Sequence, residues 1–388
     1  MRERQSISDQ RIIHCLKTNY GIEVALLTFL PIGADRHASV YKAQATDLTS
    51  YFVKVKRGHQ HDISVLLVQL LHDAGVQQVI PPIKTIHGAK TQRIEDFILP
   101  PLSLCEFGLA PTLPNDFFSS PFSIENGAPH AKPFGFVSQS PNFTKPNRSQ
   151  YTLIVYPFIE GEDGFSRSLT DGQWMQLGRA LRQVHETDLP PFIEAQVRRE
   201  TYAPKWRTAL RSLYAHIEAE PVDEIALKLV KFMRKNMLAI RRLVDRAEQL
   251  GQSLQDESPK FVLCHSDIHG GNVLLDGNDT IYIVDWDEPI MAPKERDLMF
   301  IGGGVANVWN KPHEEELFYQ GYGKAEVNRV ILAYYRHERI VEDIAILGQE
   351  LLLTAAGGQD RPEMYKHFID MFEPRGVVDI AFKTEEKK

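Results

Sequence analysis

The most constraining stretch of this 388-residue chain lies between Phe261 and Asp287. Two short apolar runs, Phe261-Val262-Leu263-Cys264 and Val273-Leu274-Leu275, flank His265-Ser266-Asp267-Ile268-His269-Gly270-Gly271-Asn272. A turn sequence, Asp276-Gly277-Asn278-Asp279, follows, and an alternating run from Ile281 ends at Asp285 in Asp285-Trp286-Asp287. This order predicts strand, loop, strand, turn and strand. The loop carries an acid and an amide, and the last strand ends in a second carboxylate. Transfer of a phosphoryl group from a nucleotide needs these parts: one carboxylate to orient the acceptor hydroxyl, and an amide with a second carboxylate to hold magnesium. Asp267 is the candidate base, and Asn272 and Asp285 are the candidate metal ligands. Alone, a loop Asp or Asn commonly does no more than cap a backbone amide or fill a turn. The set at this spacing points to chemistry.

The histidines open a second reading. Asp267-Ile268-His269-Gly270 resembles the D-x-H-G opening of calcineurin-like metallophosphoesterases, which would use such a pair as ligands of two metals. The G-D-x-x-D and G-N-H-[D/E] motifs of those enzymes do not occur after residue 269. His265 is therefore expected to buttress the loop, and His269 to lie near the phosphates.

Composition sets the frame. Hydrophobic residues make up 43 % and charged residues 24 % of the chain, as in a globular protein long enough for two cores. A net charge of −7 gives no electrostatic attraction to nucleic acid. The amino terminus lacks the apolar core of a signal peptide, and the longest apolar runs are too short to span a membrane. Cys15, Cys105 and Cys264 are widely spaced and form no C-x-x-C pair. The expectation is a cytoplasmic protein with reduced thiols and no nucleic-acid or membrane partner.

The fold class expected is α+β, with two lobes as in protein kinases: an antiparallel sheet first, then a mainly helical half. Residues 8–20 have helical spacing, strand-like runs cover Val24–Leu30, Val40–Ala45 and Tyr51–Lys56, and a helix runs from Asp62 to His72. Ile83–Ile86 and Tyr151–Phe158 are the candidate fourth and fifth strands. Residues 88–150 hold nine of the 23 prolines and show little periodicity. They read as an insertion without regular structure. From Thr170 onward helices are expected over 170–186, 205–218 and 222–250, with several more after 313. The division is 1–158 for the nucleotide-binding lobe and 159–388 for the catalytic and acceptor-binding lobe.

Lys54 and Lys56 alternate with Val53 and Val55, so both face one side of a strand. Tyr51-Phe52-Val53-Lys54 matches the end of the V-A-I-K pattern that anchors nucleotide phosphates, which favours Lys54 over Lys56. Two lysines on a solvated sheet face are the plainer alternative. Asp62, on the following helix, is the candidate partner of Lys54, though shorter than the usual Glu. Gly33-Ala34-Asp35-Arg36-His37-Ala38 lies where a glycine-rich phosphate loop belongs but has one glycine, so Asp35 and His37 are candidates to cover the phosphates. Tyr156, Phe158 and Ile159 lie where a strand runs out into a linker that could present backbone groups to the base.

These motifs together resemble the aminoglycoside phosphotransferase family of kinase-like enzymes. The family's H-x-D-x-x-x-x-N matches His265 to Asn272, its D-W-[D/E] matches Asp285-Trp286-Asp287, and Asp297 matches a structural Asp. Ala292-Pro293-Lys294-Glu295-Arg296-Asp297-Leu298, Asn307-Val308-Trp309-Asn310 and Tyr335-Arg336-His337-Glu338-Arg339-Ile340-Val341-Glu342-Asp343 are similar to the branch acting on spectinomycin. The resemblance implies ATP (with GTP as an alternative), Mg2+, and phosphorylation of a hydroxyl on a cationic aminocyclitol antibiotic, which would confer resistance. Such a dication needs carboxylates and an aromatic surface, so Asp287, Trp309 and Glu342 are the candidate acceptor contacts; for Trp309 a core position is an equal alternative. A kinase of the same fold acting on choline, homoserine or methylthioribose, and a non-catalytic nucleotide-binding module, are the competing expectations.

Overall fold

The computed structural model describes residues 4–32, 38–58, 63–97, 148–218, 221, 223–355 and 357–386. Asp35, His37 and Asp62, and residues 98–147 of the insertion, lie outside the described residues.

Helix α1 (Asp9–Tyr20) ends at Gly21, whose φ of 69° suits a left-handed cap. It covers an antiparallel sheet ordered β1-β2-β3-β5-β4, formed by β1 (Val24–Leu30), β2 (Ala38–Ala45), β3 (Ser50–Arg57), β4 (Gln92–Phe97) and β5 (Arg148–Pro157). Alternation explains the packing: Val53 and Val55 are fully buried against α1, with Tyr41, Leu153, Val155, Ile12 and Leu16.

Two expectations need correction here. Ile83–Ile86 is not a strand; two prolines precede it, and although Ile83 N–H reaches the Val155 carbonyl (2.8 Å), the segment turns at Gly88. The place next to β5 goes instead to β4, which lies inside the stretch expected to lack structure. An edge strand needs little apolar signal, and in β4 Ile94 is buried.

Helix α2 (Ile63–Asp73) does not join the sheet's core. Its Leu67, Val68 and Leu71 pack into the core of the second lobe, with Trp174, Leu181, Ile268 and Ile283. That lobe begins with β6 (Gly161–Asp163) and α3 (Asp171–Glu186), then α4 (Pro191–Glu194), β7 (Arg198–Arg199), α5 (Lys205–Leu213) and α6 (Glu224–Gln255). Thr170 caps α3 in a reciprocal box with Gln173. Short strands β8 (Val262–Cys264), β9 (Val273–Asp276), β10 (Ile281–Ile283) and β11 (Ile290–Ala292) follow. They form two three-stranded sheets, β10-β9-β6 and β7-β11-β8. Helices α7 (Glu295–Leu298), α8 (Pro312–Tyr322), α9 (Arg329–Leu353), α10 (Arg361–Asp370) and α11 (Val377–Glu386) complete it.

Helices α3 and α8 cross at glycines. A Cβ on Gly178 would sit 2.2 Å from the Phe318 carbonyl oxygen, and one on Gly321 would sit 2.1 Å from that of Met175. Only glycine allows this approach. A further core joins α5, α6, α9, α10 and α11 through Leu213, Met233, Ile344, Phe368 and Ala381. The α+β, two-lobed architecture agrees with the expectation. Among the described residues no helix is long and apolar enough to cross a membrane.

Candidate active site

The loop between β8 and β9 is held from below by Asp297 of α7. This fully buried carboxylate accepts from the backbone N–H of His265 (2.9 Å) and of Ser266 (2.7 Å), and from His185 Nε2 (3.0 Å). His185 is fixed in turn by Tyr322 (2.8 Å). Burial works against the Asp297 charge, but these partners outweigh it and hold its carboxyl below the usual range. Ser266 takes a φ of 76°, a conformation uncommon for a residue with a Cβ.

His265 buttresses the loop from within. Its Nδ1 accepts from the Asp267 N–H (3.2 Å), so the ring proton sits on Nε2 and donates to the Val284 carbonyl (2.9 Å). The ring packs edge-on against Trp286, centroids 4.6 Å apart. One imidazole thus links the loop to the segment that carries Asp285. Val284 N–H adds a bond to the Asn272 carbonyl (3.0 Å).

These supports set Asp267 and Asn272 against each other and tie their loop to the segment that carries Asp285. Asn272 donates its amide to the Asp267 carbonyl (2.9 Å), which leaves Oδ1 as the atom that can meet a cation. Asp285 follows β10 with a φ of 62°. Its Oδ1 lies 2.8 Å from Lys54 Nζ on β3. Lys54 also reaches Asp287 (2.7 Å), and Lys56 meets the same Asp287 oxygen (2.9 Å). Burial opposes the charge on Lys54, yet the two carboxylates prevail and raise its pKa above the ordinary lysine value. Burial likewise opposes ionisation of Asp287, and the two lysines hold its carboxyl well below the usual range.

The Asp267 carboxylate pairs with Arg339 of α9 and lies 3.4 Å from His269 Nε2. Desolvation would raise its pKa, but Arg339 and His269 dominate and keep it ionised. The His269 ring stacks on Phe165, centroids 5.2 Å apart.

Tyr156 sits opposite Phe52 on the sheet, rings 6.4 Å apart, and burial pushes its phenol upward. Phe158 and Ile159 follow in the connection to β6, where Lys42 Nζ lies 4.2 Å from the Phe158 ring. Asp287 faces the lysines rather than standing clear for an acceptor. Trp309 is 4 % exposed and packs edge-on against Trp174 at 5.1 Å, so the core alternative describes its position. Glu342 is half-buried on α9, where desolvation raises its pKa against the pull of Arg339. Arg339 is a site residue that the sequence does not point to, although it lies within the run Tyr335–Asp343. A cation on a helix gives no sign of which carboxylate it meets.

The candidate metal donors are oxygens, the Asn272 amide and the Asp285 carboxylate, with the Lys54 ammonium already drawn to the latter. This set suits a hard divalent cation such as magnesium.

The pattern of a phosphotransferase enzyme family matches residues 131–327. No curated protein sequence gives a significant match. Among solved structures, spectinomycin phosphotransferase APH(9)-Ia in complex with ADP and spectinomycin is 42 % identical. It covers 98 % of this chain and 100 % of that one, at a TM-score of 0.79. The AMP-bound complex of the same enzyme is also 42 % identical, covering 98 % and 99 %, at 0.76. The amicoumacin kinase hAmiN, in complex with AMP-PNP, Ca2+ and Ami, is 14 % identical over 98 % of this chain and 94 % of its own, at 0.56, a likeness of fold alone. With nearly its whole length aligned at this identity, and the motif loop inside the matched segment, the chain belongs to the phosphotransferase enzyme family.

Proposed function

We propose that this enzyme transfers the γ-phosphoryl group of ATP to a hydroxyl of spectinomycin. The observation that carries the reading is the convergence of Lys54, Asp267, Asn272 and Asp285, drawn from two lobes, in a chain 42 % identical to an enzyme solved with ADP and spectinomycin.

Asp267 is the base: it accepts a hydrogen bond from the acceptor hydroxyl and takes its proton as the new oxygen–phosphorus bond forms. Lys54 binds the nucleotide phosphates, and Tyr156, Phe158 and Ile159 lie beside the base of the nucleotide. Magnesium, held by Asn272 and Asp285, would neutralise charge on the phosphate oxygens. Asp287 orients Lys54 and Lys56 and so belongs to the nucleotide end of the site. Glu342 is the carboxylate offered to an acceptor ammonium. The boundary between lobes is placed near residue 158, and the enzyme works in the cytoplasm.

Spectinomycin-dependent release of ADP tests this. The reading expects release that saturates with the antibiotic and disappears in Asp267→Ala. Release stimulated instead by an amino alcohol such as choline, with spectinomycin inert, would favour a metabolite kinase of the same fold.

A further inference from the structure

Asp267 has two carboxylate oxygens, and they are treated differently. Oδ1 receives Arg339 Nη1 in a direct ion pair. Among the described residues, those near Oδ2 are Asn272 Nδ2 and His269 Nε2, each at 3.4 Å. Such distances are too long for strong hydrogen bonds.

Arg339 is itself held in place. Its Nε donates to both oxygens of Asp343, one helical turn on, at 3.0 and 3.2 Å. The guanidinium lies 5.5 Å from the Phe300 ring centroid. One turn earlier on the same helix, Arg336 donates to the carbonyls of Met299 (3.2 Å) and Ile301 (2.7 Å), which fixes α9 against that segment. A planar guanidinium can serve two carboxylates at once in a set geometry, which a lysine cannot. The segment matched by the family pattern ends at residue 327, so Arg339 comes from outside it.

We infer that Arg339 is a positioning residue that acts through Asp267: it occupies Oδ1 and so presents Oδ2 as the oxygen that takes the proton of the acceptor hydroxyl. This rests on the reading of Asp267 as the base. A general base displaced by about 1 Å loses on the order of 10²-fold in rate. The alternative is a structural strut that ties α9 to the loop.

Steady-state kinetics of Arg339→Gln, Arg339→Lys, Asp267→Asn and the Arg339→Gln/Asp267→Asn double variant separate the two. The inference expects kcat about 10²-fold lower in Arg339→Gln with KM for ATP unchanged, partial recovery in Arg339→Lys, and little added loss when Asp267 is already Asn. Unchanged kcat in Arg339→Gln overturns it, as does an equal loss with and without the Asp267 carboxylate. If Arg339→Gln does not fold, Asp343→Asn, which removes the tether and keeps the guanidinium, carries the test. A lower kcat at unchanged KM for ATP supports the inference there, and wild-type kcat overturns it. Full turnover in Asp267→Asn is a distinct result, because it removes the base itself.

Discussion

Lys54 Nζ lies 2.8 Å from Asp285 Oδ1, joining residues 231 apart in sequence and closing the space between the sheet and the motif loop. In the function proposed above, the pair sets the cation that would meet the phosphates beside the carboxylate that would meet magnesium. Lys54 is buried, where an unpaired ion is costly, whereas Asp285 is exposed and stays open to a ligand.

Loss of Lys54 therefore weakens nucleotide binding. A charge-assisted contact is worth about 2 kcal/mol, so Lys54→Met raises KM for ATP by about 30-fold. Lys56→Met has a smaller effect, because Lys56 meets only Asp287 of the two carboxylates. Initial rates over a range of ATP concentrations check both.

Asp297 is a support rather than a reactant. Asp297→Ala strands two backbone N–H groups and His185 in the interior, so it destabilises the protein by about 3–5 kcal/mol. Urea denaturation reads this as a lower midpoint at an unchanged m-value. A wild-type midpoint would mean that the loop does not depend on this carboxylate.

Glu338 gives stability a pH dependence. It is 8 % exposed and faces Arg207 at 3.5 Å, and burial, with Glu200 and Glu342 nearby, pushes its carboxyl up from 4.5 to about 7 despite that arginine. A folded-state pKa above the unfolded one means that the native state holds the proton more tightly. The resulting stability is fully present below pH 4.5 and is lost as pH rises to about 7. Glu338→Gln removes this decline, so the difference in unfolding free energy between wild type and variant changes across that window. Parallel curves for the two proteins would contradict it.

Much of the fold was legible because its signals are local. The alternation of Lys54 and Lys56 with Val53 and Val55 places two lysines on one face, and both meet Asp287. The helix expected over 170–186 is α3, Asp171–Glu186. Ile83-Lys84-Thr85-Ile86 resembles a strand, but a short β-prone run does not say whether a neighbouring edge is free, and β4 holds that edge. Trp309 illustrates the same limit at the site. An aromatic residue next to acids can serve a ligand or a core, and contact with Trp174 decides in favour of the core. Arg339 escaped because its partner, Asp267, lies 72 residues away on another element. The spacing of Asp267, Asn272 and Asp285 was readable because a single loop and hairpin carry all three.

The most direct test of the central claim is the mass of spectinomycin after incubation with ATP, magnesium and the purified enzyme. The account predicts the gain of one phosphoryl group with wild type and none with Asp267→Ala. Unmodified antibiotic in the wild-type reaction, with nucleotide still bound by the enzyme, would contradict it.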